Sequence, residues 1–141
     1  MLIVCPHCLS TNRVPPERLG ESPLCGRCGE ALLPAAPVEL GDEAFAKLVS
    51  RTELPVVVDF WAPWCGPCRQ MGPQFQAAAA QLQGQALLVK VNSDESPQAA
   101  ARYAIRSIPT MVVLQGGQER ARQSGAMGAG QIVQWVRQQL G

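Results

Sequence analysis

Pro55-Val56-Val57-Val58-Asp59-Phe60-Trp61-Ala62-Pro63-Trp64-Cys65-Gly66-Pro67-Cys68-Arg69 is the stretch on which the fold turns. Its first half, Pro55–Trp61, is a nearly unbroken β-branched and aromatic run, which predicts a strand buried on both faces. Its second half opens a helix expected from Cys65 to about Leu82, rich in Ala and Gln. Pro73 should kink that helix, because its ring removes one backbone hydrogen bond. Cys65 thus falls where a strand hands over to a helix. A sulfur there sees the positive end of the helix dipole and free N–H groups, and both favour thiolate over thiol. Only the thiolate attacks a disulfide. Cys68 lies one turn further on, near enough to close a small disulfide ring with Cys65, as a resolving cysteine must. Inert core cysteines or half of a metal site are the bland readings. The chain's single histidine, His7, and the other thiols leave no ligands to complete such a site.

Outward from this segment, the pattern alternates. Asp42–Ser50 carries Phe45, Leu48 and Val49 on one helical face, with Asp42 as a candidate N-cap. Ala86–Asn92 reads as a second buried strand. Pro97–Tyr103 reads as a short helix with Pro97 in its first turn. Thr110–Leu114 and Glu119–Ser124, split by Gly116-Gly117, predict a β-hairpin. Gln131–Leu140 closes the chain with Ile132, Val136 and Leu140 on one stripe. The expected class is α/β, a mixed central sheet flanked by helices, over residues 38–141. Asp59 is a carboxylate inside an apolar strand, which costs desolvation unless it has a role or a partner. Two readings stand side by side: a proton acceptor for Cys68, or a structural pair with Lys90, which is equally isolated in Leu87–Val91.

The other four cysteines lie near the N-terminus, in Cys5-Pro-His-Cys8 and Cys25-Gly-Arg-Cys28, sixteen residues apart. The pattern C-x2-C-x16-C-x2-C suits one tetrahedral zinc held by Cys5, Cys8, Cys25 and Cys28. Gly26 and Gly29 supply the permissive backbone that turns around a ligating sulfur need. Residues 1–33 are too few to fold on a hydrophobic core alone, so a metal or disulfides must hold them. Two disulfides, or iron on the same thiolates, are the alternatives. His7 reads as a solvent-facing knuckle residue. Residues 34–37, Pro34-Ala35-Ala36-Pro37, read as a stiff linker. In residues 1–33, read as a small zinc-ribbon domain, the basic Arg13, Arg18 and Arg27 are matched by Glu17, Glu21 and Glu30, and there is no Phe, Tyr or Trp. A nucleic-acid reader is therefore disfavoured.

With the pieces in place, Val57–Arg69 resembles the active-site segment of the thioredoxin family. Ile108-Pro109-Thr110 resembles that family's cis-proline loop, and Gly125-Ala126 its substrate-groove glycine. The resemblance covers about Val38–Gly141, and the ribbon makes the whole similar to the bacterial thioredoxin-2 type. It implies that Cys65 is the nucleophile, Cys68 the resolver and Asp59 the buried proton acceptor. It implies a cis bond before Pro109, and a docking surface of Trp64, Pro67, Ile108, Pro109 and Gly125. It further implies disulfide-containing protein substrates and an NADPH-dependent thioredoxin reductase as electron source. Ser107 stands where the family often has glycine, and Arg69 where it often has lysine. An oxidase or isomerase of the same fold, or a zinc-bearing docking adaptor, are the rival functions.

The chain's 141 residues and 47% hydrophobic content suffice for one ordinary core and a small appendage. A net charge of +1 gives no global field toward nucleic acid or acidic membranes. Met1–Val4 is too short for a signal peptide's apolar region, and no apolar run reaches a membrane span. The expectation is a cytoplasmic monomer, where cysteine pairs serve metals or catalysis rather than structural bridges.

Overall fold

A computed structural model describes residues 1–140; Gly141, the last residue of the expected α/β unit, lies outside them. Five strands form one mixed sheet in the order β3 (Val38–Glu39), β5 (Leu87–Asn92), β4 (Val56–Trp61), β6 (Thr110–Gln115), β7 (Gln118–Ser124). β3, β5 and β4 run parallel; β6 is antiparallel to β4, and β7 to β6. Gly116 and Gly117 both have positive φ, +61° and +81°, and so make the two-residue turn of the β6–β7 hairpin.

Helices cover both faces, which is why the central strands read as continuous apolar runs. Alternate residues of each strand enter two separate cores. Val58, Phe60, Val89, Val91, Val112 and Leu114 pack with Phe45 and Leu48 of α1 (Asp42–Arg51), and with Ala99 of α3 (Pro97–Arg102). Val57, Leu88, Met111 and Val113 pack with Met71, Phe75 and Leu82 beneath α2 (Gly66–Gln81), and with Ile132 and Val136 of α4 (Ala129–Leu140). The predicted helix at 65–82 is present and continues through Pro73.

One expectation fails in an instructive way. Gly41, not Asp42, occupies the N-cap of α1. The Asp42 carboxylate instead accepts hydrogen bonds from Gln98 N (3.2 Å) and Ala99 N (2.8 Å), capping the start of α3. Capping chemistry was read correctly from the residue type, but tertiary placement gave it to another helix.

The N-terminal segment is a hairpin of β1 (Leu2–Val4) and β2 (Thr11–Arg13), followed by a 3-10 turn at Pro16–Glu21. Strand β1 fastens it to the α/β unit. Val4 N donates to the buried Thr52 hydroxyl (3.1 Å), and Glu53 N donates to Leu2 O (2.9 Å). Neighbouring side chains of β1 point into different cores. Ile3 joins Cys5, Val14, Cys25, Leu32, Leu33 and Leu54, while Val4 joins the α1 core. On the far side, Gln83 Nε2 donates to Leu33 O (3.0 Å).

Candidate active site and metal centre

Strand β4 ends at Trp61, and the chain turns through Ala62-Pro63-Trp64 into α2. Arg69 holds this turn from within the helix, its guanidinium donating to Pro63 O (3.3 Å). Cys65 is the N-cap of α2, and its Sγ accepts a hydrogen bond from Cys68 N (3.2 Å). The sulfur therefore faces unpaired helix N–H groups, as the sequence placed it. Cys65 and Cys68 are joined as a disulfide, with Cα atoms 5.2 Å apart. Both are buried, at 5% and 3% exposure.

Across from them, the Ile108–Pro109 peptide is cis. Ile108 O lies 3.8 Å from Cys65 Sγ, and Pro109 O accepts from Gly125 N (2.9 Å). Those contacts bring the cis-proline loop and the end of β7 to the disulfide. Gly125 has φ +97°, a conformation open to glycine and strained for other residues. Around the cysteines, Trp64 and Pro67 are exposed, as is Gly125, while Ile108 is half-buried. Trp64 is 66% exposed, unusual for so large an apolar group, and its Nε1 donates to Asp94 (2.8 Å). Asp94 escaped the sequence reading because nothing local marks it.

Asp59 is fully buried on the sheet face that α2 covers, alongside Val57 and Met111. Neither carboxylate oxygen has a hydrogen-bond partner among the described residues. The Asp–Lys pair entertained from sequence is thus not formed. Lys90 neighbours Asp59 in register, but its ammonium sits 4.4 Å from the centroid of the Trp61 ring. Burial pushes the Asp59 carboxyl up to about 7; the Lys90 charge opposes this and Glu39 adds to it. Glu39, opposite Lys90 on the edge strand, accepts from Trp61 Nε1 (3.1 Å) and is itself raised by burial. A carboxyl poised near neutrality, on the sheet face covered by the helix that carries the two cysteines, can hold or release a proton at working pH.

The four N-terminal sulfurs all lie within 4.8 Å of one another. Cys5 to Cys28 and Cys8 to Cys25 are each 3.6 Å. A tetrahedral zinc with Zn–S near 2.3 Å sets its sulfurs roughly 3.8 Å apart, so the arrangement fits. The two knuckles repeat one backbone pattern. Cys5 N bonds Ser10 O and Leu9 N bonds Cys5 O; Cys25 N bonds Glu30 O and Gly29 N bonds Cys25 O. The residue after each second cysteine has positive φ, +65° at Leu9 and +81° at Gly29. Leu9 adopts without glycine what Gly29 adopts with it. Ser10 Oγ lies 3.0 Å from Cys8 Sγ and 3.2 Å from Cys25 Sγ, and was missed in sequence. Its hydroxyl draws the Cys25 thiol down to about 5. Cys28 is pushed up to about 12, against the Glu30 backbone N–H that favours its thiolate, by desolvation of its sulfur and by the neighbouring cysteines. Four crowded sulfurs cannot all ionise alone; a soft divalent cation lets them do so. His7 is exposed, as expected.

A dithiol at a strand-to-helix turn, facing a cis-proline loop, defines a thiol–disulfide oxidoreductase. Residues 36–138 match the family model described as Thioredoxin, and residues 4–30 match a zinc-ribbon model described as Thioredoxin 2, N-terminal. The chain belongs to the thioredoxin family. It is similar to "Thioredoxin C-3" of Corynebacterium nephridii, with 43% identity over 140 residues, 99% of this chain and 96% of that one. It is also similar to "Thioredoxin M-type, chloroplastic" of Chlamydomonas reinhardtii (39% identity, 90% of this chain and 93% of that one). "Thioredoxin 1" of Nostoc sp. is 48% identical over 60% of this chain and 79% of its own length.

Proposed function

We propose that the chain is a protein-disulfide reductase in which Cys65 attacks, Cys68 resolves and Asp59 takes the resolving proton. The observation that carries this is the Cys65–Cys68 pair at the start of α2, set against cis-Pro109 with Asp59 buried on the same side of the sheet. In the reduced protein the Cys65 thiolate attacks one sulfur of a client disulfide. A Cys65–client bond forms, the client S–S bond breaks, and the released client sulfur leaves as thiolate and is protonated by solvent. Asp59 then accepts the Cys68 proton, directly or through water. The Cys68 thiolate attacks Cys65 Sγ, the internal disulfide forms, and the second client sulfur leaves. Two electrons pass from the dithiol to the client. Trp64, Pro67, Ile108, Pro109 and Gly125 form the surface on which the client lies.

Reduction, rather than oxidation, is supported by the Gly66-Pro67 dipeptide that the chain shares with the family's reducing members. An NADPH-dependent thioredoxin reductase restores the dithiol. One structural zinc sits in the ribbon of residues 1–33 on Cys5, Cys8, Cys25 and Cys28, joined by residues 34–37 to the catalytic unit from Val38 onward. The protein works in the cytoplasm as a monomer, without nucleic acid or membrane; no described helix is long and apolar enough to cross a bilayer.

The test is the reduction of a protein disulfide, with Cys65→Ser and Cys68→Ser compared to the parent. Cys65→Ser should be inactive. Cys68→Ser should accumulate a client mixed disulfide on Cys65, visible on a non-reducing gel. Activity retained by Cys65→Ser would overturn the proposal.

A further inference from the structure

Ser107, Thr110 and Ser124 place three hydroxyls together beside the cis-proline loop. Thr110 and Ser124 are register partners across β6 and β7. The Thr110 hydroxyl donates to Ser107 O at 2.7 Å. A hydroxyl has one proton, so Thr110 can only accept in its 3.0 Å contact with Ser124, and Ser124 donates there. The Ser124 oxygen, its proton committed, accepts from Ser107 at 3.4 Å, while Ser107 also lies 3.5 Å from Thr110. Whichever of the two it chooses, the Ser107 proton stays inside the cluster. Proton counting thus commits all three protons within the cluster, and Ser107 Oγ, the one hydroxyl oxygen that accepts none of them, keeps both lone pairs for an outside donor. Ser107 is exposed and directly precedes Ile108, whose carbonyl faces Cys65 Sγ. Ser124 directly precedes Gly125, whose N–H donates to Pro109 O (2.9 Å).

We propose that Ser107 Oγ is a hydrogen-bond acceptor for a backbone N–H of the client polypeptide close to its cystine, and so a specificity residue for peptidic over non-peptidic disulfides. The cluster holds the oxygen with its proton turned inward. A client N–H therefore meets an acceptor without a competing donor, and no hydroxyl reorientation is needed on binding. The side chain adds one polar contact to a surface otherwise built of Trp64, Pro67, Ile108, Pro109 and Gly125. This rests on the reading of the cis-proline loop as the client-binding edge.

Two substrates separate the inference from that reading: a cystine-containing peptide and a small aromatic disulfide with no N–H groups. Ser107→Ala should lower kcat/KM for the peptide about 5-fold, the scale of one neutral hydrogen bond, and leave the aromatic disulfide unchanged. Ser107→Thr, which keeps the oxygen, should restore the peptide rate. A peptide series N-methylated at each amide flanking the cystine should contain one member on which Ser107→Ala has no effect. Equal losses on both substrates would mean that the residue only holds the loop, and would overturn the proposal. So would an unchanged peptide rate. In either case a Cys65-dependent peptide rate in the parent that Trp64→Ala lowers would leave the underlying groove assignment standing.

Discussion

Asp59→Asn is predicted to make the protein more stable in alkali while slowing its chemistry. Asp59 is fully buried, and neither oxygen has a partner among the described residues. Burial lifts its pKa from 3.8 to about 7, with Lys90 pulling down and Glu39 pushing up. In the unfolded chain the group ionises near its ordinary value. Between about pH 4 and pH 7 the native state therefore holds a proton that the unfolded state has released. Stability attributable to this residue is intact below that window and is lost as pH rises through it. A difference of about three in pKa, at roughly 1.4 kcal/mol each, makes the loss up to about 4 kcal/mol by pH 8. Asparagine keeps the shape and cannot ionise. Its own burial cost is the same at every pH, so it cancels when two pH values are compared. Urea unfolding of the oxidised parent and variant at pH 4 and pH 8.5 gives the comparison. The variant should gain on the parent by up to about 4 kcal/mol from acid to alkali. A gap that does not change with pH, or that moves in the parent's favour, refutes the burial argument.

Other expectations concern the seams between elements. Thr52→Ala leaves Val4 N without its buried acceptor and should cost about 1–3 kcal/mol, with faster amide exchange at Val4 and the reductase rate retained. Asp42→Ala removes the cap from Gln98 N and Ala99 N; thermal unfolding should report a loss of about 1 kcal/mol. Gly84→Ala forces a side chain onto φ +83° with its Cβ 3.1 Å from Leu19 O, and should destabilise the protein by roughly 1–2 kcal/mol in denaturant unfolding.

What the sequence made legible was whatever repeats or punctuates. The run Val56–Trp61, the alternation of strands with helices, the Gly116-Gly117 turn and the Cys-x-x-Cys spellings are local patterns, and each became the expected element or cluster. The edge strand Val38–Glu39 was not read, because two residues show no period. Strand β1 was missed for the same reason, and with it the way Ile3 and Val4 divide between two cores. Leu9 gave no sign of its left-handed backbone, which is fixed by the knuckle around Cys5 and Cys8. The Asp59–Lys90 pairing failed on geometry that the residues alone do not hold: register brings the two side by side, yet Lys90 finds the Trp61 ring. Ser10 was invisible as a thiol partner because its contact to Cys25 spans fifteen residues and depends on the two knuckles closing.

On the proposed function, the six cysteines divide into two exchanging sulfurs and four that hold a metal. Thiol counting by mass spectrometry on the reduced, native protein tests it directly, with zinc measured in the same sample. Two alkylated thiols, Cys65 and Cys68, and one zinc per chain are predicted, rising to six alkylated thiols when a chelator removes the metal. Six reactive thiols in a folded, metal-free protein would contradict it.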